Sequence, residues 1–233
     1  MHTLPTDELI WHRSRRLRRS LQERLLQFST HKFGDEHLHE AWCDFHCARG
    51  CSPLDWNSQD MPMFLSWYHF VWRPAVGDDK EGFELLGDSV VEEFLQSQSG
   101  DLPDSEREYA STCAQSAFSF WQVTEVFPDQ GLRAVDLLTG TKAWIQDKEF
   151  SVGLEVGRIL FAMPVTVDGV TTFEAVASHT FPASQKAAVE SLRQSLAQHT
   201  RRLTATFLHH NTLELVDLYQ EFRTGGLRPV PTC

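Results

Sequence analysis

The sequence predicts an α+β fold: a helical N-terminal half, a small five-stranded antiparallel barrel of the SH3-like kind, and C-terminal helices. Two observations carry that reading. Up to about residue 115 the apolar residues recur at spacings of three and four, the helical period, whereas from Phe118 they alternate with a period of two. Three turn signals then cut residues 116–182 into short strands: Pro128-Asp129-Gln130-Gly131, Thr139-Gly140 and Asp168-Gly169. The organisation is a helical region over 1–115, the barrel over 116–182, helices packing on the rest over 183–224, and a flexible tail over 225–233 rich in Gly and Pro.

Leu9, Ile10, Leu17, Leu21, Leu25, Leu26 and Phe28 predict a first helix over 6–30, with arginines on its other face. Gly34 breaks it, and Leu38, Ala41, Trp42 and Phe45 mark a second helix to about Ala48. Pro62 opens a third, apolar nearly all round through Trp72. Pro74 to Gly87 reads as a charged loop, Ser89 to Gln98 as a short helix, and Asp104-Ser105 as the start of another, Ser105 and Glu108 having capping-box spacing. Strands follow at Phe118–Phe127, Leu132–Leu137, Lys142–Gln146, Gly157–Val165 and Thr171–Ser178. From Ser184 to about Arg223 the chain is again helical, anchored by residues such as Val189, Leu196, Leu213 and Val216.

Composition narrows the class. Of 233 residues, 41% are hydrophobic, too many for a disordered chain, and no run of 18 apolar residues exists to span a membrane. The net charge of −11 is polarised: residues 1–32 carry seven Arg/Lys against three acids, so the remainder is −15. Such an acidic body disfavours broad binding to phosphate backbones. The N-terminal apolar residues run into arginines rather than a cleavage site, so no signal peptide is expected. Five cysteines without a secreted-type framework predict reduced thiols and a cytoplasmic protein.

Three sets of residues are candidates for function. The basic stripe Arg13, Arg15, Arg16, Arg18 and Arg19 could bind nucleic acid or an acidic partner, or dock on the chain's own acidic body. Cys43, His46, Cys47 and Cys51 could ligate zinc, although spacings of three and four lack the C-x-x-C knuckle; half-buried cysteines beside surface histidines are the other reading. Trp56, Trp67, Trp72, Trp121 and Trp144 could form an aromatic contact surface for a protein partner, or could be core. No catalytic residue is assigned: neither G-x-S-x-G nor a phosphate-binding glycine loop occurs.

The segments Phe64–Arg73, Phe118–Val126, Gly131–Gly140 and Gly157–Val165 resemble uncharacterised bacterial proteins of the SEC-C motif-containing type. In that family a D-L-x-T-G segment is followed by S-x-x-L-x-x-G-x-x-L-x-A, matched here by Asp136–Gly140 and Ser151–Ala162. The resemblance covers about residues 35–195 and implies a bacterial origin. The family's terminal zinc knuckle has no counterpart, Cys233 standing alone, so its zinc and docking role is not carried over. The expectation is a non-enzymatic cytoplasmic adaptor without a cofactor, zinc at the cysteine cluster being the alternative, with a protein partner and no membrane. Nucleic acid at the N-terminal helix is the alternative partner.

Overall fold

The computed structural model describes residues 5–46, 53–78, 84–97 and 102–225. Helix α1, Pro5–Phe45, changes direction at Gly34, whose φ of 79° and ψ of 178° leave the helical region where a side chain would be disfavoured. Leu21, Leu25, Leu38, Ala41, Trp42 and Phe45 on its inner face are buried. α2, Met61–Phe70, with Pro62 in its first turn, is buried on nearly every side, as its all-round apolarity predicts.

The segment read as a charged loop is instead a two-stranded antiparallel hairpin, β1 (Ala75–Asp78) and β2 (Glu84–Leu86), with Ala75 opposite Leu86. α3, Val90–Ser97, and α4, Asp104–Ala114, follow. The capping box also moves. Pro103 precedes α4 without a side-chain cap, whereas Glu92 Oε2 accepts from the Ser89 backbone N–H at 2.8 Å and its hydroxyl at 2.9 Å.

The five strands lie where the alternation puts them: β3 (Ser119–Phe127), β4 (Gly131–Asp136), β5 (Lys142–Ile145), β6 (Ile159–Val167) and β7 (Val170–Val176). They pair antiparallel in the order β5-β4-β3-β6-β7. The sheet curls but does not close into the expected barrel. Its opposite edges meet at a backbone bond from Gln146 N–H to Thr171 O at 2.8 Å, with no ladder between β5 and β7. Closure needs a continuous ladder, and the four-residue β5 ends too soon to supply one.

Each sheet face carries its own apolar cluster. Phe118, Phe120, Phe161 and Met163 join the helices in the main core, where Tyr219 stacks on Phe161 at 5.0 Å between ring centres. Inside the curl Trp121, Val123, Leu132, Ile145, Leu160 and Phe173 form a second cluster. A short helix, α5 (Lys148–Ser151), is capped by Asp147, which accepts from Phe150 N–H at 2.9 Å.

The C-terminal region divides into α6 (Lys186–Ala197), α7 (Ala205–His210) and α8 (Thr212–Arg223), with a non-helical connection over 198–204. Leu213, expected as an anchor, is 45% exposed, and Leu215 and Val216 are buried instead. Of the tail, residues 226–233 lie outside the described residues. Among those described, no helix is long and apolar enough to cross a membrane.

Candidate functional site

An open cleft of about 560 Å³ lies between the end of the sheet's inner face and the α6–α7 connection. The sheet wall follows from strand geometry. Ser119 and Trp121, two apart on β3, project to one face, and Asp136 of β4 stands opposite Trp121 in the ladder. Asp136 begins the turn predicted from Asp-Leu-Leu-Thr-Gly, and its carboxylate organises that turn. Oδ1 accepts from Leu138 N–H at 2.9 Å, Thr139 N–H at 3.3 Å and the Ser119 hydroxyl at 2.5 Å, while Oδ2 accepts from the Thr139 hydroxyl at 2.7 Å. Those bonds occupy the carboxylate with its own turn.

The facing wall carries Arg193 from α6 and Arg201 and Arg202 from the connection. The Thr200 hydroxyl folds the connection by donating to Arg202 O at 3.1 Å, and Thr204 caps α7 by accepting from Phe207 N–H at 3.2 Å. Buried His209 bonds the Ser116 carbonyl and ties α7 to the segment entering β3. All three arginines are exposed, and none makes an ion pair or side-chain hydrogen bond with a described residue. On the floor, Trp121 is 6% exposed, and its indole Nε1 has no hydrogen-bond partner. The cleft's side chains thus offer donors and positive charge.

The N-terminal stripe lies elsewhere and is largely engaged with its own protein. Arg13 pairs with Asp168 at 3.4 Å, Arg15 with Glu149 at 2.7 Å and Arg19 with Glu23 at 3.2 Å. Arg18 donates to the carbonyls of Phe173 and Glu174 at 3.0 and 3.3 Å. Arg16 makes no such bond with a described residue.

The tryptophans do not form one surface. Trp67 and Trp72 are core struts, a correction to their role as contact candidates: both are at most 1% exposed, and their indoles donate to Thr212 Oγ1 and Asp44 Oδ2, each at 2.8 Å. Trp144 is half-buried against Phe127, and Trp56 is 53% exposed. Only Trp121 reaches the cleft.

At the cysteine cluster, Cys43 is disulfide-bonded, which corrects the expectation of reduced thiols at that position. A disulfide sulfur is not the thiolate that zinc requires. His46 bonds the Trp42 carbonyl at 3.0 Å and lies against the Trp42 ring, and burial lowers its pKa. Cys47 and Cys51 lie outside the described residues, among which no group of three or more His, Cys, Asp or Glu could hold a metal ion.

A second polar centre escaped the sequence reading. Glu174 of β7 is 2% exposed and accepts from the Tyr109 hydroxyl at 2.5 Å, Gln22 Nε2 at 2.9 Å and the Ser66 hydroxyl at 3.3 Å. Burial pushes its pKa up to about 7, against the hydrogen bond from Tyr109 and the charge of Arg18. Burial also drives the Tyr109 hydroxyl and the nearby Cys113 thiol well above their ordinary values. The centre joins α1, α2, α4 and β7 beneath the surface, where it holds helices to sheet. A lone acid inside the apolar strand Val170–Val176 was the signal for it.

Compared with protein-family models, curated proteins and solved structures, the chain finds no match.

Proposed function

We propose that the chain is a non-enzymatic interaction protein, an adaptor that takes a negatively charged segment of a partner protein in the arginine-walled cleft. One observation carries the reading. Three of the four described arginines whose side chains lack any hydrogen bond or ion pair with a described residue stand on this one wall of a chain whose net charge is −11. Grouped on one wall of an acidic chain, these unpaired guanidiniums make a local positive field that favours an acidic ligand. Binding is preferred over catalysis because the cleft is lined by neither His nor Cys, and its one carboxylate, Asp136, is taken up by its own turn.

The cytoplasm remains the proposed setting, supported by five cysteines that lack a secreted-type framework; the disulfide at Cys43 is the observation that counts against it.

The test is fluorescence polarisation of a labelled glutamate-rich peptide with the full chain at low and physiological salt. Saturable, salt-sensitive binding that Arg193→Ala, Arg201→Ala and Arg202→Ala together abolish is the expected result. An unmodified chain that binds no acidic peptide at low salt refutes the proposal.

A further inference from the structure

The hydrogen-bond inventory of the cleft narrows its ligand further. The Thr139 hydroxyl donates to Asp136, the Thr200 hydroxyl to Arg202 O and the Ser116 hydroxyl to Thr112 O. What remains uncommitted is mainly donors: three guanidinium groups and the Trp121 indole N–H. Several buried side-chain atoms in the described residues lack partners, and of the residues that carry them Trp121 is the one that lines the cleft, its Nε1 lying just beneath the surface. Buried N–H groups in folded proteins are nearly always paired, so this one waits for an acceptor the chain does not provide.

We infer that the cleft receives a phosphate monoester on a phosphorylated side chain of the partner segment, one phosphate oxygen accepting from the Trp121 N–H and the others facing Arg193, Arg201 and Arg202. This rests on the acidic-partner reading above and specifies its chemistry. A carboxylate brings one charge and two coplanar oxygens. A phosphate monoester brings a charge of about −1.5 to −2 and three strong acceptors, which suits three guanidiniums and an indole. A nucleobase would bring amino and imino donors, for which the lining side chains keep few free acceptors. The cleft is also far larger than one phosphoryl group, and Leu138, Pro164, Leu203 and Leu208 line it with apolar surface for the residues on either side of a modified one.

The experiment uses the full-length chain and two labelled acidic peptides, identical except for phosphoserine or glutamate at one central position. Inorganic phosphate and free phosphoserine serve as competitors. The phosphopeptide is expected to bind at least about tenfold more tightly, the size of one extra charged hydrogen bond. Its affinity should rise as pH increases through about 6, where the second phosphate proton leaves. Trp121→Phe keeps an aromatic ring and removes the N–H, so it should bring the phosphopeptide toward the glutamate peptide and leave the latter unchanged. If Trp121→Phe unfolds, judged by circular dichroism, Arg201→Lys with Arg202→Lys keeps both charges and removes the planar guanidinium forks; it should weaken the phosphopeptide more than the glutamate peptide, and an equal loss for both overturns the phosphate inference.

Equal affinity for the two peptides overturns the phosphate inference and leaves the acidic-docking reading standing. Binding of neither peptide overturns both. Free phosphoserine that competes at the phosphopeptide's own concentration overturns the peptide as the source of the phosphate. A phosphopeptide preference untouched by Trp121→Phe overturns the role given to the indole.

Discussion

The Tyr109 hydroxyl of α4 donates a 2.5 Å hydrogen bond to Glu174 of β7, and this contact pins the helical layer to the sheet. Because burial raises the Glu174 pKa from 4.5 to about 7, the folded state prefers the neutral acid. The group's contribution is complete below about pH 4.5 and is lost as pH rises through 7, since the unfolded chain ionises first. The difference amounts to roughly 3 kcal/mol at most. Urea denaturation should therefore show stability falling between pH 5 and 8, with Glu174→Gln flattening that slope. Identical slopes in the two proteins would remove Glu174 from this account.

Arg18 differs from the rest of the N-terminal stripe. It reaches two backbone carbonyls of β7, whereas Arg16 and Arg19 face solvent or their own helix. Arg18→Ala should cost about 1–3 kcal/mol in urea denaturation, because it leaves partly buried carbonyls unmatched. Arg16→Ala and Arg19→Ala should stay within about 0.5 kcal/mol of the unmodified chain. Equal costs for all three would mean that the stripe docks as a diffuse charge rather than through Arg18.

Tyr219 of α8 donates to Asp60 at 2.9 Å, and Arg223 from the same helix pairs with the other carboxylate oxygen. Asp60 is 1% exposed. Tyr219→Phe should cost about 1.5–3 kcal/mol, the worth of one hydrogen bond to a charged group. Arg223→Ala should cost more, because it leaves a buried carboxylate without its counter-charge. The reverse order in denaturant midpoints would contradict this arrangement.

Gly131, where β4 begins, lies close against β5: a Cβ there would stand 2.2 Å from the Ile145 carbonyl oxygen. The obstacle is backbone and cannot rotate aside, so Gly131→Ala should push the two strands apart at a cost of about 3 kcal/mol or more. Gly140 is at φ 77° with open space around it, and Gly140→Ala should cost only about 1–2 kcal/mol. Thermal melting of the two variants tests the contrast; comparable melting points would show that β5 yields.

The strands were legible because their turns are chemically marked. Asp168 and Gly169 both take positive φ, 50° and 79°, as an Asp-Gly hairpin requires. The β1–β2 hairpin was hidden because its acidic flanks mask any alternation. Closure of the sheet depends on how far its edge strands run side by side, which no local pattern encodes. Trp67 and Trp72 carry the same letter as exposed Trp56, and only packing separates them. The cleft was least legible of all. Trp121 and the Arg201-Arg202 pair are distant in the chain, and reading 184–223 as one helical stretch concealed the connection that holds those arginines.

That connection has a consequence for handling the protein. Residues 198–204 are non-helical, and Arg201 and Arg202 within them are exposed, so trypsin should nick the chain there early, separating α7 and α8 covalently from the remainder. A ligand seated against both arginines would shield the scissile bonds. The rate of cleavage at this connection, followed on a gel, then reports occupancy of the cleft without any label. A rate unchanged by a saturating acidic peptide would place the peptide elsewhere on the surface.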